Sequence, residues 1–264
     1  MLRTAPRRAP SPPAAPPRPE RRAARRRTPR AFAALGLLGT LLLSPAPARA
    51  SGGEAAPFRI VALGSSSTQG TGASTPGMSY PAQLQRLFAT AFGGRPAVAV
   101  ANRGVAGEDI DDMVRRIGPD VVAAHPDLVI WQAGSNDPLR GVPLDRFKTK
   151  LRDGIAAIRA GGAEVLLMEP QWSPVIEKAD AKSRFVDAVR EVGAEAHVDV
   201  VRRFALMRGW IDDGTVTPQA LVGPDNLHMT DRGYTLLAGA VLDRIATSSR
   251  AFRARRAVAT AGRP

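Results

Sequence analysis

From about residue 57, the chain alternates short apolar runs with longer stretches of helical periodicity. The apolar runs are residues 58–63, 97–101, 128–132, 164–168 and 197–201. Such runs of mostly Val, Ile, Leu and Ala are typical of parallel strands that are covered on both faces. The stretches that predict helices are residues 80–92, 110–117, 144–160, 181–196 and 231–245. This alternation predicts an α/β fold: a three-layer α/β/α sandwich around a five-stranded, parallel, doubly wound sheet of the flavodoxin-like kind.

The positive charge of the chain is confined to its two ends. Of the net charge of +13, residues 1–50 contribute +10, through 11 arginines and a single acid, Glu20. Residues 250–264 add five arginines and no acid, whereas residues 51–249 hold 21 basic and 23 acidic residues. A basic face on the folded domain is therefore not indicated, and we expect no nucleic-acid partner.

The first 50 residues are typical of a signal peptide with a long Arg/Pro-rich n-region. The apolar run 31–43 has 13 residues, fewer than the roughly 20 that span a bilayer. The small-residue pattern Ala48-x-Ala50 follows it, and we expect cleavage after Ala50. The product would be periplasmic or secreted, with no membrane span left after cleavage. An uncleaved anchor and a misassigned start codon remain as alternatives.

Beyond the signal, the sequence predicts one domain, residues 51–249, and an Arg/Ala-rich tail, residues 250–264, that we expect to be disordered. The chain has no cysteine and three histidines. Disulfides, thiolate catalysis and thiolate zinc sites are thereby excluded, and a His-rich metal site is not expected. We expect neither a metal nor an organic cofactor.

Four short polar or glycine-rich segments lie next to predicted strand ends. They are residues 64–67 (GSSS), 102–107 (NRGVAG), 134–137 (GSND) and 225–228 (DNLH). Because the carboxyl ends of parallel strands meet at one edge of a doubly wound sheet, we expect these segments to converge there.

Two of the segments carry the residue types of nucleophilic catalysis. Ser66 follows a strand and a glycine, where its hydroxyl can be exposed beside free backbone N–H groups. Asp225 and His228 are three residues apart, so that the carboxylate can accept from Nδ1 and leave Nε2 to take a serine proton. Taken singly, a capping serine and a helix-entry aspartate explain these residues as well. His125 and His197 have no such acidic partner and are predicted to be structural.

Together, the four segments resemble the SGNH (GDSL-type) hydrolase superfamily, over roughly residues 58–247. The resemblance implies that Ser66 is the nucleophile, His228 the general base and Asp225 its orienting partner. It also implies an oxyanion hole made by the backbone N–H groups of Ser66 and Gly107 and the side-chain amide of Asn136. The family's Gly-Asp-Ser-Leu block reads Gly-Ser-Ser-Ser here. Ser65 thus replaces the aspartate, and which of the three serines attacks is left open, with the second position after Gly64 favouring Ser66.

The function expected on this basis is an exported serine esterase that hydrolyses carboxylic esters through an acyl-enzyme. We expect a short, acetyl ester of an envelope or extracellular carbohydrate as substrate. The alternatives are a lysophospholipase or thioesterase-type acyl hydrolase, and a non-catalytic carbohydrate- or envelope-binding module on the same fold. Trp172, after the fourth strand, is a candidate substrate-binding residue, and a hydrophobic residue that caps the core is the other interpretation.

Overall fold

The core of the protein is a five-stranded parallel sheet. A computed structural model of the chain describes residues 56–177 and 180–261. The strands are β1 (Phe58–Gly64), β2 (Val98–Gly104), β3 (Leu128–Gln132), β4 (Glu164–Met168) and β5 (Asp199–Val201). They are ordered β2-β1-β3-β4-β5, and every neighbouring pair is parallel. The chain runs outwards from β1 first to β2 and then to β3, so the switch point that forms a binding crevice lies at the ends of β1 and β3.

Helices connect and cover the strands. They are α1 (Ser66–Gln69), α2 (Tyr80–Ala91), α3 (Ile110–Arg115), α4 (Leu144–Ala160), α5 (Pro174–Glu177), α6 (Asp180–Glu195), α7 (Arg203–Asp212), α8 (Pro218–Leu221), α9 (Asp231–Ser248) and α10 (Arg250–Ala261). Short 3₁₀ and π turns lie at Pro76–Met78, Ile117–Val121 and Val122–Ala124. None of the helices in the described ranges has the length and apolarity that crossing a membrane requires.

Each face of the sheet has its own hydrophobic core, because alternate residues of a strand point to opposite sides. On one side, Ile60 of β1 packs with residues of α2, α7, α9 and α10. On the other side, Val61 of β1 packs with residues of α3, α4 and α6. The three-layer α/β/α sandwich predicted from the alternation is confirmed.

The boundaries of several elements differ from those predicted, for local reasons. Helix α3 ends at Arg115 instead of continuing to residue 117, since Pro119 has no N–H to donate to the Arg115 carbonyl. Strand β5 begins at Asp199, after His197 takes a left-handed conformation with φ 50°. Strand β2 continues to Gly104 through the Asn-Arg-Gly sequence, and α7 was not predicted at all.

The prediction of a disordered tail is wrong for residues 250–261, which form α10. The Phe252 ring is fully buried and lies 5.1–5.4 Å from the rings of Phe58, Phe88 and Phe92. The composition of the segment did not predict this contact, because one aromatic side chain among arginines and alanines changes its average hydrophobicity very little. The predicted signal peptide, residues 1–50, lies outside the described residues.

Candidate active site

The turn after β1 exposes one of the three adjacent serines. Ser65 and Ser67 are buried, whereas Ser66, the first residue of α1, is partly exposed. Ser65 is tied to the end of β3, where Gln132 Oε1 accepts from its backbone N–H at 2.9 Å and from its hydroxyl at 3.0 Å. These two bonds tie the serine turn to β3, and Ser65 makes them from the position at which the family has aspartate. A Cβ at Gly64 would lie 2.2 Å from Thr68 Oγ1, so the close packing of α1 on β1 requires glycine there.

The loop before α9 brings Asp225 and His228 to this serine. His228 Nε2 lies 2.9 Å from Ser66 Oγ, and Nδ1 lies 2.6 Å from Asp225 Oδ2. Asp225 Oδ1 accepts from the backbone N–H groups of Leu227 and His228, at 2.9 and 3.0 Å. Asn226 makes this turn possible by adopting a positive φ of 55°, a conformation that Asn tolerates better than most residues.

The carboxylate of Asp225 is held in its ionised form. Partial burial raises its pKa, but the two backbone donors and His228 outweigh this effect and bring the pKa below its ordinary value. An ionised Asp225 can fix the imidazole orientation and stabilise the imidazolium that forms when His228 takes a proton.

Donors for a negatively charged oxygen lie on the neighbouring loops. Gly107 follows β2 with a φ of 81°, a conformation that glycine adopts without strain. Asn136 follows β3 and donates through Nδ2 to the Glu108 carbonyl at 2.8 Å. Its amide group has two hydrogens, which leaves one for a ligand. The Ser66 N–H, at the start of α1, has no partner within its own helix.

Arg140 joins the two donor loops. Its guanidinium donates to the Gly107 carbonyl at 3.1 Å and forms ion pairs with Asp109 and Asp112. The sequence did not predict this role of Arg140, because its partners belong to the segment that follows a different strand.

The structure joins Ser66, His228 and Asp225 by hydrogen bonds, and Gly107 and Asn136 follow β2 and β3, the two strands next to β1. Trp172 does not belong to this set. Its side chain is 4% exposed and belongs to the hydrophobic core, with Arg208 over its ring at 5.7 Å. The substrate-binding prediction for Trp172 is therefore wrong, and the core interpretation holds. His125 and His197 precede β3 and β5, at the opposite edge of the sheet.

Sequence reasoning missed a set of buried polar side chains beneath the serine turn. They are Gln132, Ser135, Gln171 and Arg203, and each is buried and hydrogen-bonded to another member. Gln132 and Gln171 stand at or just after the ends of strands that are otherwise apolar. A polar residue at such a position is the feature of the sequence from which these two glutamines could have been predicted.

Asp137, directly after Asn136, is a buried acid. Its Oδ1 accepts from the Ile110 N–H at 2.8 Å, whereas its Oδ2 has no partner among the described residues. Burial raises the pKa of this carboxyl to about 6. No group of three or more His, Cys, Asp or Glu side chains within residues 56–177 and 180–261 could hold a metal ion.

The sheet order and the segments that hold Ser66, Gly107, Asn136 and Asp225 to His228 agree with the SGNH hydrolase superfamily, whose members include carboxylic ester hydrolases. The model of the Non-GDSL lipase-like family matches residues 44–250, and the chain belongs to this family. The protein is accordingly a hydrolase that acts on ester bonds.

Relatives of known structure or activity agree with this assignment. The chain is 27% identical to an acetylxylan esterase from Geobacillus stearothermophilus over 164 residues, which are 56% of this chain and 72% of that protein. An arylesterase from Vibrio mimicus is 33% identical over 78 residues, 29% of this chain and 38% of that protein. The crystal structure of a lipase/acylhydrolase from Enterococcus faecalis superposes with a TM-score of 0.61 and 26% identity, covering 71% of this chain and 94% of that one.

Proposed function

We propose that the protein is an exported serine esterase that uses Ser66, His228 and Asp225 as its catalytic triad. The observation that carries this proposal is the unbroken hydrogen-bond chain from Asp225 Oδ2 through the imidazole to Ser66 Oγ, with distances of 2.6 and 2.9 Å. These lengths are within the range in which a base takes a proton from a nucleophile.

In the first step, Ser66 Oγ attacks the ester carbonyl carbon while its proton passes to His228 Nε2. The carbonyl oxygen becomes an oxyanion, which accepts from the Ser66 and Gly107 N–H groups and from the Asn136 amide. The C–O bond to the alcohol then breaks, and the alcohol leaves with the proton from Nε2. In the second step, a water molecule gives a proton to the same nitrogen and attacks the acyl carbon. The bond from that carbon to Ser66 Oγ then breaks, the acid leaves, and Nε2 returns the proton to Oγ.

An acetyl ester of an envelope or extracellular carbohydrate is the first candidate substrate. Support comes from the similarity to the acetylxylan esterase, which spans 72% of that protein. Burial of Trp172 removes one aromatic surface on which a sugar ring could have stacked, so the carbohydrate part of the proposal depends on other residues of the loops.

A longer or aromatic acyl group is the second candidate, and one observation favours it. Three of the exposed large apolar side chains belong to segments that follow β2, β3 and β4: Val105 (44% exposed), Leu139 (58%) and Val175 in α5 (41%). Val105 stands two residues before Gly107, Leu139 three residues after Asn136, and the Val175 N–H contacts the Asn226 carbonyl at 3.4 Å. Apolar groups in this position would favour a lysophospholipase or thioesterase-type substrate with an apolar chain.

Hydrolysis of p-nitrophenyl esters from acetyl to dodecanoyl, by the wild type and by Ser66→Ala, tests the activity and the acyl preference together. We expect the wild type to hydrolyse at least the short esters and Ser66→Ala to be inactive. Wild-type rates in a clean Ser66→Ala preparation would contradict the proposed mechanism.

The remaining alternative is a non-catalytic module that binds carbohydrate or envelope material. A fluorophosphonate probe distinguishes it from the esterase, since only an activated serine reacts. We expect stoichiometric labelling that is lost in Ser66→Ala and strongly reduced in His228→Ala. An unlabelled wild-type protein that retains a polysaccharide in a pull-down would favour the binding module.

A further inference from the structure

One buried amide lies between the serine turn and the histidine loop. Gln171, in the segment after β4, accepts at Oε1 from Ser67 Oγ at 3.2 Å, Ser135 Oγ at 3.1 Å and Arg203 Nη2 at 2.9 Å. Its Nε2 donates to the Leu227 carbonyl at 3.4 Å. Ser67 comes directly after the nucleophile and Leu227 directly before the base, so this single side chain is bonded one residue away from each reacting group.

The orientation of this amide is fixed by chemistry. Arginine can only donate, so the oxygen of Gln171 must face Arg203. The amide nitrogen then faces the Leu227 carbonyl, which can only accept. A cation that polarises the amide oxygen also strengthens the amide as a donor on its other side.

Arg203 is a buried cation that is held by neutral oxygens. It is fully buried, and its Nε donates to the Glu169 backbone carbonyl at 2.9 Å. The Glu169 carboxylate is occupied by Arg190 and Arg202, at 2.5 and 3.2 Å. Burial lowers the pKa of Arg203 to about 10, which still leaves it cationic at neutral pH. Burying a cation costs free energy, so Gln171, the side chain that accepts from it, is strongly constrained in position.

We propose that Gln171, fixed by the buried Arg203, is a positioning residue that sets the distance between Ser66 Oγ and His228 Nε2. The proposal rests on the triad assigned above. The two reacting groups belong to the start of α1 and to the loop before α9, which are 162 residues apart in the chain. A second branch, from Ser135 to Gln132 and then to Ser65, extends the same network to the residue on the other side of the nucleophile.

The magnitude of the expected effect depends on the geometry of proton transfer. The Ser66–His228 distance of 2.9 Å already suits a hydrogen bond, and a displacement of about 1 Å in an active site can cost about 10²-fold in rate. The residues next to the bonds of Gln171 are Ser66, His228 and, through Ser135, Asn136, and their proposed roles concern the transition state more than the binding of substrate. Loss of the network should thus lower kcat and leave KM nearly unchanged.

Three variants test this proposal. Gln171→Glu keeps the size and the acceptor and gives Arg203 a counter-ion, but it removes the donor to Leu227. Gln171→Met removes both polar functions, and Gln171→Met/Arg203→Met also removes the buried cation, because replacing both partners by apolar groups can be nearly neutral for stability. The matched control is Gln85→Met, which removes a glutamine that accepts from the Val100 N–H at 2.8 Å on the outer strand β2.

Thermal unfolding, kcat, KM and the rate of fluorophosphonate labelling are measured for each variant with p-nitrophenyl acetate. We expect Gln171→Glu to fold with wild-type stability or better, with kcat and the labelling rate lowered by about 10- to 10²-fold and KM within about threefold. The double variant should regain the stability that Gln171→Met loses without regaining kcat. Gln85→Met should keep wild-type kcat.

Two outcomes would overturn the proposal. One is a folded Gln171→Glu or double variant with wild-type kcat, and the other is an activity that changes in step with the unfolding temperature through the whole series, as a merely structural residue would give. Failure of the triad assignment is visible separately, before any Gln171 variant is compared. It would show as a wild-type protein that the fluorophosphonate does not label, or as a Ser66→Ala variant that keeps its activity.

Discussion

At the scale of single residues, three adjacent serines have three different environments. Ser65 is bonded to Gln132, Ser67 to Gln171 and Ser66 to His228. A hydroxyl that is already buried and hydrogen-bonded to an amide is badly placed to attack a substrate. The different roles of the three serines therefore depend on their burial and their hydrogen-bond partners, which three identical residues in a sequence do not indicate.

This division predicts unequal effects of three alanine substitutions. Ser66→Ala should lower kcat by about 10⁴-fold or more, since it removes the nucleophile. Ser65→Ala and Ser67→Ala should each cost about 1 kcal/mol of unfolding free energy through the lost bond to a buried glutamine, and Ser65→Ala should keep most of the activity. Steady-state kinetics and urea unfolding of the three variants measure this. An inactive, well-folded Ser65→Ala beside an active Ser66→Ala would reverse the assignment.

The buried acid Asp137 predicts a dependence of stability on pH. Its pKa of about 6 is above the value near 3.9 of an unfolded aspartate, so the folded state binds the proton more tightly. The stabilisation is fully present below about pH 4 and is lost as the pH rises through about 6, for a difference of about 3 kcal/mol.

Urea unfolding of the wild type and Asp137→Asn at pH 4.5 and 7.5 checks this. Asn keeps the acceptor for the Ile110 N–H but does not ionise. The unfolding free energy of the wild type should fall relative to that of the variant on going to pH 7.5. Parallel changes in the two proteins would show that Asp137 does not titrate in this range.

The exposed apolar side chains that follow β2, β3 and β4 predict an effect on acyl preference. Leu139→Ser should lower kcat/KM for octanoyl relative to acetyl p-nitrophenyl esters by about tenfold, since burying the side chain of a leucine is worth about 1.5–3 kcal/mol and only part of it meets substrate. Val258→Ser is the control, because Val258 is 74% exposed on α10, at the far edge of the sheet. An unchanged ratio in Leu139→Ser would favour the acetyl candidate.

At the scale of elements, hydrophobic periodicity predicted the strands and helices that are buried along their whole length. It missed the elements whose position depends on one or two side-chain contacts. Runs such as Leu128–Gln132 and the helix Leu144–Ala160 have the predicted bounds, because their patterns are long and their burial is uniform. Helix α7 carries a buried Arg203 in its first turn, which no hydrophobic pattern indicates. The residues of the proposed triad could be predicted from strand-end placement together with the family resemblance. Gln171 and Arg140 could not, since their partners come from distant segments.

Helix α10 predicts a loss of stability that is separate from catalysis. Phe252→Ala removes a ring packed among three others and should cost about 3–5 kcal/mol of unfolding free energy. The folded fraction should keep wild-type kcat, because α10 contacts Glu164 at the start of β4 and not the carboxyl ends of the strands. Urea unfolding monitored by tryptophan fluorescence, with kcat at low temperature, measures both effects. An unaffected unfolding midpoint would contradict the anchoring role of Phe252.

At the scale of the whole molecule, the candidate active site and helix α10 lie at opposite edges of the sheet. Ser66, Gly107 and Asn136 follow the carboxyl ends of β1, β2 and β3, and the arginine-bearing α10 contacts Glu164 at the amino end of β4. The segment 51–249 is nearly neutral in sum, with 21 basic and 23 acidic residues. The net charge of this segment therefore gives no general attraction for a charged polymer, and charges such as Arg140 and Asp112 are paired locally.

The proposed export predicts a large change in net charge. Cleavage after Ala50 would remove 11 arginines and Glu20 and lower the formal charge from +13 to +3. The protein recovered from the periplasm or medium of an expressing bacterium should begin at Ser51 and leave a cation exchanger at lower salt than the full-length chain made without export. Intact mass and N-terminal sequencing determine this, and Ala48→Arg should block processing, because the pattern requires small residues. An exported protein with the mass of the full chain would support the uncleaved anchor, and one found only in the cytoplasm would contradict export altogether.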